Sequence, residues 1–359
     1  RAEVLHRDLS PDAILIGGTV SRAFAGINGP YWTDPSDPTQ TNPDALGVTL
    51  ENIELGLAIL TARDDQPALY NGLTWTALEA SAGNAALVGI PDVTLSASAV
   101  DVAINQVDGL GAGRDSRDFV VDFSHASTDI TVITGAGSTR TLAMDGDRGE
   151  QVRVEGSFDL DLAGFFSVSG SMGLEKSTRV LQTANGERFE ADTLTIGGAN
   201  LNGFAGNNGG TAEAVGVGLT GLDFGLIIAS ADVDDDGDST TVDRALRWTA
   251  LEAEADTAGF VGFDADLLSA SISNALVEFN TVRYADGTRS GLVVDDWVLD
   301  LASLPLDVVT GATPRTMDIA GSEGELIRIL TDVDLNIANY LQVSGSVGFV
   351  QRTETVTLS

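Results

Sequence analysis

The chain contains no cysteine. Disulfides, thiol nucleophiles and thiolate-bound zinc are therefore excluded. Cationic residues are scarce: 19 arginines and lysines face 53 aspartates and glutamates, for a formal charge of −34, and Lys176 is the single lysine. So negative a surface repels nucleic acid and anionic membranes, because nothing in it offsets the phosphate charge. Histidine occurs twice, at His6 and His125. The two stand in unrelated contexts and in one copy each, and read as surface or turn residues rather than as catalytic bases. No apolar run reaches the roughly 18 residues that a membrane-spanning helix needs, and the opening RAEVLHRDLS has no apolar core of a signal peptide. Proline is rare too, at nine residues.

What the chain has instead is 43% hydrophobic residues and 41 glycines in 359 residues. That suffices for packed cores and suits strands with tight turns. An acidic, lysine-poor surface fits a cation-rich or calcium-loaded exterior.

The chain repeats itself. FAGINGP at Phe24–Pro30 returns as FAGNNGG at Phe204–Gly210, and LTWTALEASAGNAALVGI from Leu73 returns as LRWTALEAEADTAGFVGF from Leu246. FVVDF at Phe119 finds LVVDD at Leu292, VITGAGSTRT at Val132 finds VVTGATPRT at Val308, and VSGSMGLEKST at Val168 finds VSGSVGFVQRT at Val343. Order is kept throughout, so residues 1–180 and 181–359 read as two copies of one module of about 175 residues. The chain begins and ends near the same point of that repeat, as a window cut from a longer array would.

Within each copy, apolar and polar residues alternate. Val152, Val154, Phe158, Leu160 and Leu162 form one such set, and pairs such as Asn71-Gly72, Asn185-Gly186 and Asp286-Gly287 punctuate the runs. Period two between turn pairs that accept positive φ predicts antiparallel hairpins and meanders. The expected fold is therefore all-β and elongated, with 8–12 strands per module, as sandwiches or as one continuous twisted sheet or solenoid. The segment VDRALRWTALEAEADTA is rich in helix formers; it and its partner NGLTWTALEASAGNAA are read as a bulged strand, with a short helix as the alternative.

The copies differ in two places. Copy two alone carries SADVDDDGDSTTVD, from Ser230 to Asp243, with six aspartates. Asp232, Asp234, Asp236, Gly237, Asp238 and Asp243 occupy positions 1, 3, 5, 6, 7 and 12 of a calcium loop of the EF-hand type. Alternate residues would point carboxylates inward, glycine would allow the bend, and the Asp238 carbonyl would serve at position 7. Position 12 is aspartate where glutamate is usual, and the flanks read as strands, so the likeness covers the loop alone. The expected metal ligands are Asp232, Asp234, Asp236, Asp238 and Asp243, the expected ion Ca2+. Copy one carries its own insertion, Pro30–Leu46, with four prolines and the aromatics Tyr31 and Trp32. It reads as a rigid loop or as a contact for a neighbouring subunit or glycan. Asp295 and Asp296, adjacent on an expected strand, would point to opposite faces and form no carboxylate pair.

The modules LTWTALEASA…ALVGI and DLDLAGFFSVSGSMGLEKS resemble the tandem repeats of very large bacterial extracellular proteins, the adhesin-like and calcium-binding array class. The resemblance implies a non-enzymatic, secreted module that builds length at the cell surface or in a filament. Its partners would be neighbouring copies, with a glycan or cell-surface target as a further one. Two alternatives stand beside it: a lipid-carrying β-groove, and a glycan-binding or glycan-acting β-solenoid.

Overall fold

A computed structural model describes residues 9–34, 36–65, 67–111, 114, 118–125, 128–233, 244–264, 267–288 and 294–352. The architecture is all-β and antiparallel. Eighteen strands are present among the described residues: β1 (Asp12–Ile27), β2 (Trp32–Asp34), β3 (Asp37–Thr41), β4 (Leu46–Thr61), β5 (Thr74–Val88), β6 (Val93–Asp108), β7 (Thr131–Gly135), β8 (Ser138–Thr141), β9 (Gln151–Leu162), β10 (Phe166–Gln182), β11 (Arg188–Asn207), β12 (Val215–Val233), β13 (Arg244–Val261), β14 (Leu268–Tyr284), β15 (Leu306–Val308), β16 (Arg315–Met317), β17 (Leu326–Ile337) and β18 (Leu341–Arg352). Ten fall in the first sequence copy and eight in the second, within the range that turn spacing predicts.

Twelve of these strands share one open sheet in the order β1-β4-β5-β6-β9-β10-β11-β12-β13-β14-β17-β18. This excludes the sandwich alternative. The remaining six strands form three small hairpins, β2-β3, β7-β8 and β15-β16. β13 is a strand despite its helix formers. Leu246, Trp248 and Ala250 alternate into the core, and the strand is bonded along its length between β12 and β14. Tertiary pairing on both sides outweighs local propensity.

Two compact units divide the chain, Arg1–Ile90, Ser96–Glu155 and Lys176–Arg179 in one, Pro91–Leu95, Gly156–Glu175 and Val180–Ser359 in the other. Each has its own core, built where a long connection crosses one sheet face. In the first unit the connection from β6 to β9 carries β7-β8. It lays Phe123, Val132, Leu142 and Met144 on Leu60, Leu73, Trp75, Ala77 and Val107. In the second unit the connection from β14 to β17 carries β15-β16. It lays Val298, Leu299, Leu301, Val308, Met317 and Ile319 on Ile227, Leu246, Trp248, Val282 and Leu326.

The two connections are fastened in the same way. Trp75 Nε1 donates to the Phe119 carbonyl, and Trp248 Nε1 donates to the Trp297 carbonyl at 2.7 Å. Asn105 Nδ2 donates to Val121 O at 2.8 Å, and Asn280 Nδ2 to Leu299 O at 2.7 Å. Asp122 Oδ1 accepts from Gly146 N, Asp300 Oδ1 from Gly321 N. These contacts correct the sequence alignment. The counterpart of FVVDF, Phe119–Phe123, is WVLDL at 297–301, five residues beyond LVVDD. LVVDD shares two valines and an aspartate with FVVDF, but the anchoring tryptophan and asparagine set the true register.

The connections approach the sheet over glycine. A Cβ on Gly17 would lie 2.3 Å from Ile133 O, and one on Gly197 would lie 2.4 Å from Val309 O. Only bare backbone admits a carbonyl that close.

Candidate functional site

The acidic loop springs from the β12-β13 hairpin. Asp232 is an exposed residue near the end of β12, opposite Ala245, and Val233 lies opposite Arg244. The chain therefore leaves at 233 and returns beside it at 244, the closure that a loop ligating through its first and twelfth positions requires. Asp234, Asp236, Asp238 and Asp243 lie outside the described residues, so Asp232 is the one expected ligand with a described position. Among the described residues no group of three or more histidines, aspartates or glutamates is placed to hold a metal ion. The flanks are strands, as the sequence pattern predicts.

Asp295 and Asp296 lie not on a strand but in a four-residue helix, α1 (Val294–Trp297). The Asp296 carbonyl accepts from Asn185 N at 3.0 Å, so this segment serves the turn after β10. His125 occupies a bend whose carbonyl accepts from Thr128 N, and His6 lies outside the described residues. The insertion Pro30–Leu46 folds onto its own unit. Tyr31 stacks on Phe24 with centroids 6.2 Å apart, Trp32 meets Tyr31 edge-on, and the Arg22 guanidinium lies over Trp32 at 5.6 Å. Both aromatics are thus half-buried rather than displayed.

Sequence reading missed a charged group in the first unit. Arg140 lies 3.6 Å from Glu79 and 3.9 Å from Asp101, beside a cavity of about 320 Å³ that also reaches Arg148 and Arg153. Its second-unit counterpart explains it. Arg315 contacts Glu252 at 2.6 Å and Glu254 at 3.3 Å. Glu79 also accepts from Ala143 N, and Glu252 from Asp318 N. The glutamate thus binds both an arginine and a backbone amide of the connection crossing above it. The signal was present: the glutamate of WTALEA and the arginine of each TRT or PRT recur in both copies.

The other reactive features are edges of backbone. Among the described residues β1 and β18 end the strand order, each with a strand neighbour on one side only. A free edge presents unpaired amides and carbonyls and invites another strand. β18 is exposed at every position, and Tyr340 before it is 96% exposed. Its first-copy equivalent, β10, has Gly173, Glu175 and Ser177 buried. Inside the second unit β10 is held by β11: Gly206 N donates to Phe165 O at 2.8 Å, Gly209 N to Gly164 O at 2.7 Å, and the Cβ position of Gly170 lies 2.8 Å from Leu201 Cα. No helix among the described residues is long and apolar enough to cross a membrane. Comparisons with protein-family models, with curated proteins and with solved structures found no match.

Proposed function

We propose that the chain is a non-catalytic structural and adhesive repeat of a large extracellular bacterial protein or filament, with a calcium-stiffened loop on its β12-β13 hairpin. The observation that carries this reading is the join of β10 to β11. The last strand of one sequence copy continues into the first strand of the next through backbone hydrogen bonds, with no linker beyond a turn at Thr183–Gly186. A module whose ends are strands of one sheet extends by adding further modules, and each addition satisfies the edge left by the last. The long connections then act as fasteners, clamping each module's sheet through tryptophan, asparagine and glutamate. Calcium, held by the carboxylates of Asp232, Asp234, Asp236 and Asp243 and by the Asp238 carbonyl, would offset part of the charge of the most acidic segment of a chain that carries −34.

Electron microscopy of negatively stained native material, with and without a calcium chelator, tests the reading. Rods or filaments are expected. Compact monodisperse particles carrying bound lipid would overturn it in favour of a lipid-holding groove.

A further inference from the structure

β18 repeats the alternation of β10. Leu341, Val343, Val347 and Phe349 alternate with Gln342, Ser344, Ser346 and Gly348, as Phe166, Val168, Met172 and Leu174 alternate with Ser167, Ser169, Ser171 and Gly173. The surroundings differ. Gly170, at φ +143°, has Asn200 O and Leu201 Cα each 2.8 Å from its Cβ position. Gly345, its counterpart at φ +154°, has nothing within 4 Å. The backbone shape that Gly170 adopts against β11 is thus repeated in β18, which among the described residues pairs with β17 alone. Gly173 lies under the Val309 carbonyl, 2.7 Å from its Cβ position, whereas Gly348 is exposed and faces only a Leu330 methyl of the adjacent strand.

The first unit carries the converse feature. Ile133 rests on Gly17 as Val309 rests on Gly197. Val309 is 6% exposed because Gly173 of β10 closes over its other side; Ile133 is 73% exposed. One edge therefore offers a glycine, Gly348, met only by a Leu330 methyl of its own sheet, and the other offers an apolar residue of the kind that covers such a glycine.

We infer that β18 receives β1 of a second copy of this chain, antiparallel, in the register by which β10 holds β11. This rests on the structural-module reading and adds its partner and geometry. Gly345 then faces Ser21, Val343 faces Ala23 and Tyr340 faces Gly26 of the incoming copy, whose Ile133 settles on Gly348. Head-to-tail contact of this kind is heterologous, so it generates open chains or rings rather than symmetric dimers. The partner is a copy of this chain because the features that each edge needs are found on the opposite edge.

The absence of cysteine makes the test clean. Val168, the counterpart of Val343, has Cγ2 3.9 Å from the Cβ position of Gly203. Gly206 N donates to Phe165 O, so by the antiparallel alternation the pair Val168–Gly203, three positions on, is non-hydrogen-bonded. Val343 and Ala23 would then form such a pair, where Cα atoms approach to about 4.5 Å, within disulfide reach. A chain carrying Ala23→Cys and Val343→Cys, oxidised mildly at high salt, is expected to give a reducible ladder of dimers, trimers and longer species. The same ladder is expected from Ala25→Cys with Leu341→Cys, which guards against one pair failing to fold, while Ala23→Cys with Ser346→Cys should crosslink weakly. A cooperative melt resembling that of the parent shows that each variant is folded. Equal ladders from the in-register and out-of-register pairs would overturn the register. A folded in-register variant that stays monomeric would overturn the pairing itself. Neither result decides the structural-module reading, which stands or falls on the images of native material.

Discussion

A methyl group on Gly197 would meet the Val309 carbonyl oxygen at 2.4 Å, and the carbonyl belongs to backbone held from both sides. Gly197→Ala is therefore expected to lower unfolding stability by about 1–3 kcal/mol, as overpacking does. Gly18→Ala, where nothing lies within 4 Å, should stay within about 0.5 kcal/mol. Denaturant titration of the two variants separates close approach from mere loss of glycine. A second residue ties the last strands to pH. Arg352 on β18, by hydrogen bonding, holds the Glu323 carboxyl below its ordinary value, with Arg328 adding to the effect against the cost of burial. A depressed folded-state pKa contributes stability that is present above the unfolded value of 4.5 and is lost as pH falls through the folded one. Glu323→Gln should then be less stable than the parent at neutral pH and lose less on acidification below about pH 4.5, measured by melting across pH. Side-chain chemistry of this kind was only half legible. The recurring glutamate of WTALEA could be seen in the sequence, but that it binds an arginine and an amide some sixty residues away was fixed by the crossing connection.

At the scale of elements, the β12-β13 hairpin is where a ligand would act. β12 and β13 stay in register from Gly216↔Val261 to Val233↔Arg244, so an ion held by the loop would close a long, already paired ribbon. If calcium binds the folded state alone, the melting temperature should rise with added Ca2+. The gain is about 2.7 kcal/mol at a hundredfold excess over Kd. Asp232→Ala combined with Asp236→Ala should abolish the shift; an unchanged shift would remove the loop as its cause. The connections were the elements least legible in sequence. Period-two alternation announces strands of the main sheet because their side chains face core and solvent in turn. It says little about WVLDL at 297–301, whose place is set by Trp248 and Asn280, residues distant in sequence. The same cause put Asp295 and Asp296 on a short helix where a strand was expected.

For the molecule as a whole, charge and edges oppose each other. A chain at −34 repels its own copies, while the outer edges of β1 and β18, unpaired among the described residues, and the exposed apolar side chains of β18 favour their approach. Screening shortens the reach of the repulsion to about 8 Å at physiological ionic strength and further at molar salt. Association followed by light scattering should therefore strengthen as salt rises, opposite to an association held by ion pairs.

The sequence by itself determined that the chain is antiparallel β, that it repeats, and that one copy carries an aspartate-rich insertion between strands. These are local properties: alternation, turn pairs and self-similarity are written in adjacent residues. Only the tertiary structure decided that twelve strands form one open sheet rather than a sandwich, that long connections build the cores, and which strands lie at the edges among the described residues. Those outcomes depend on which faces meet across many intervening residues. A pattern of period two states that a strand has two faces but not what covers either of them.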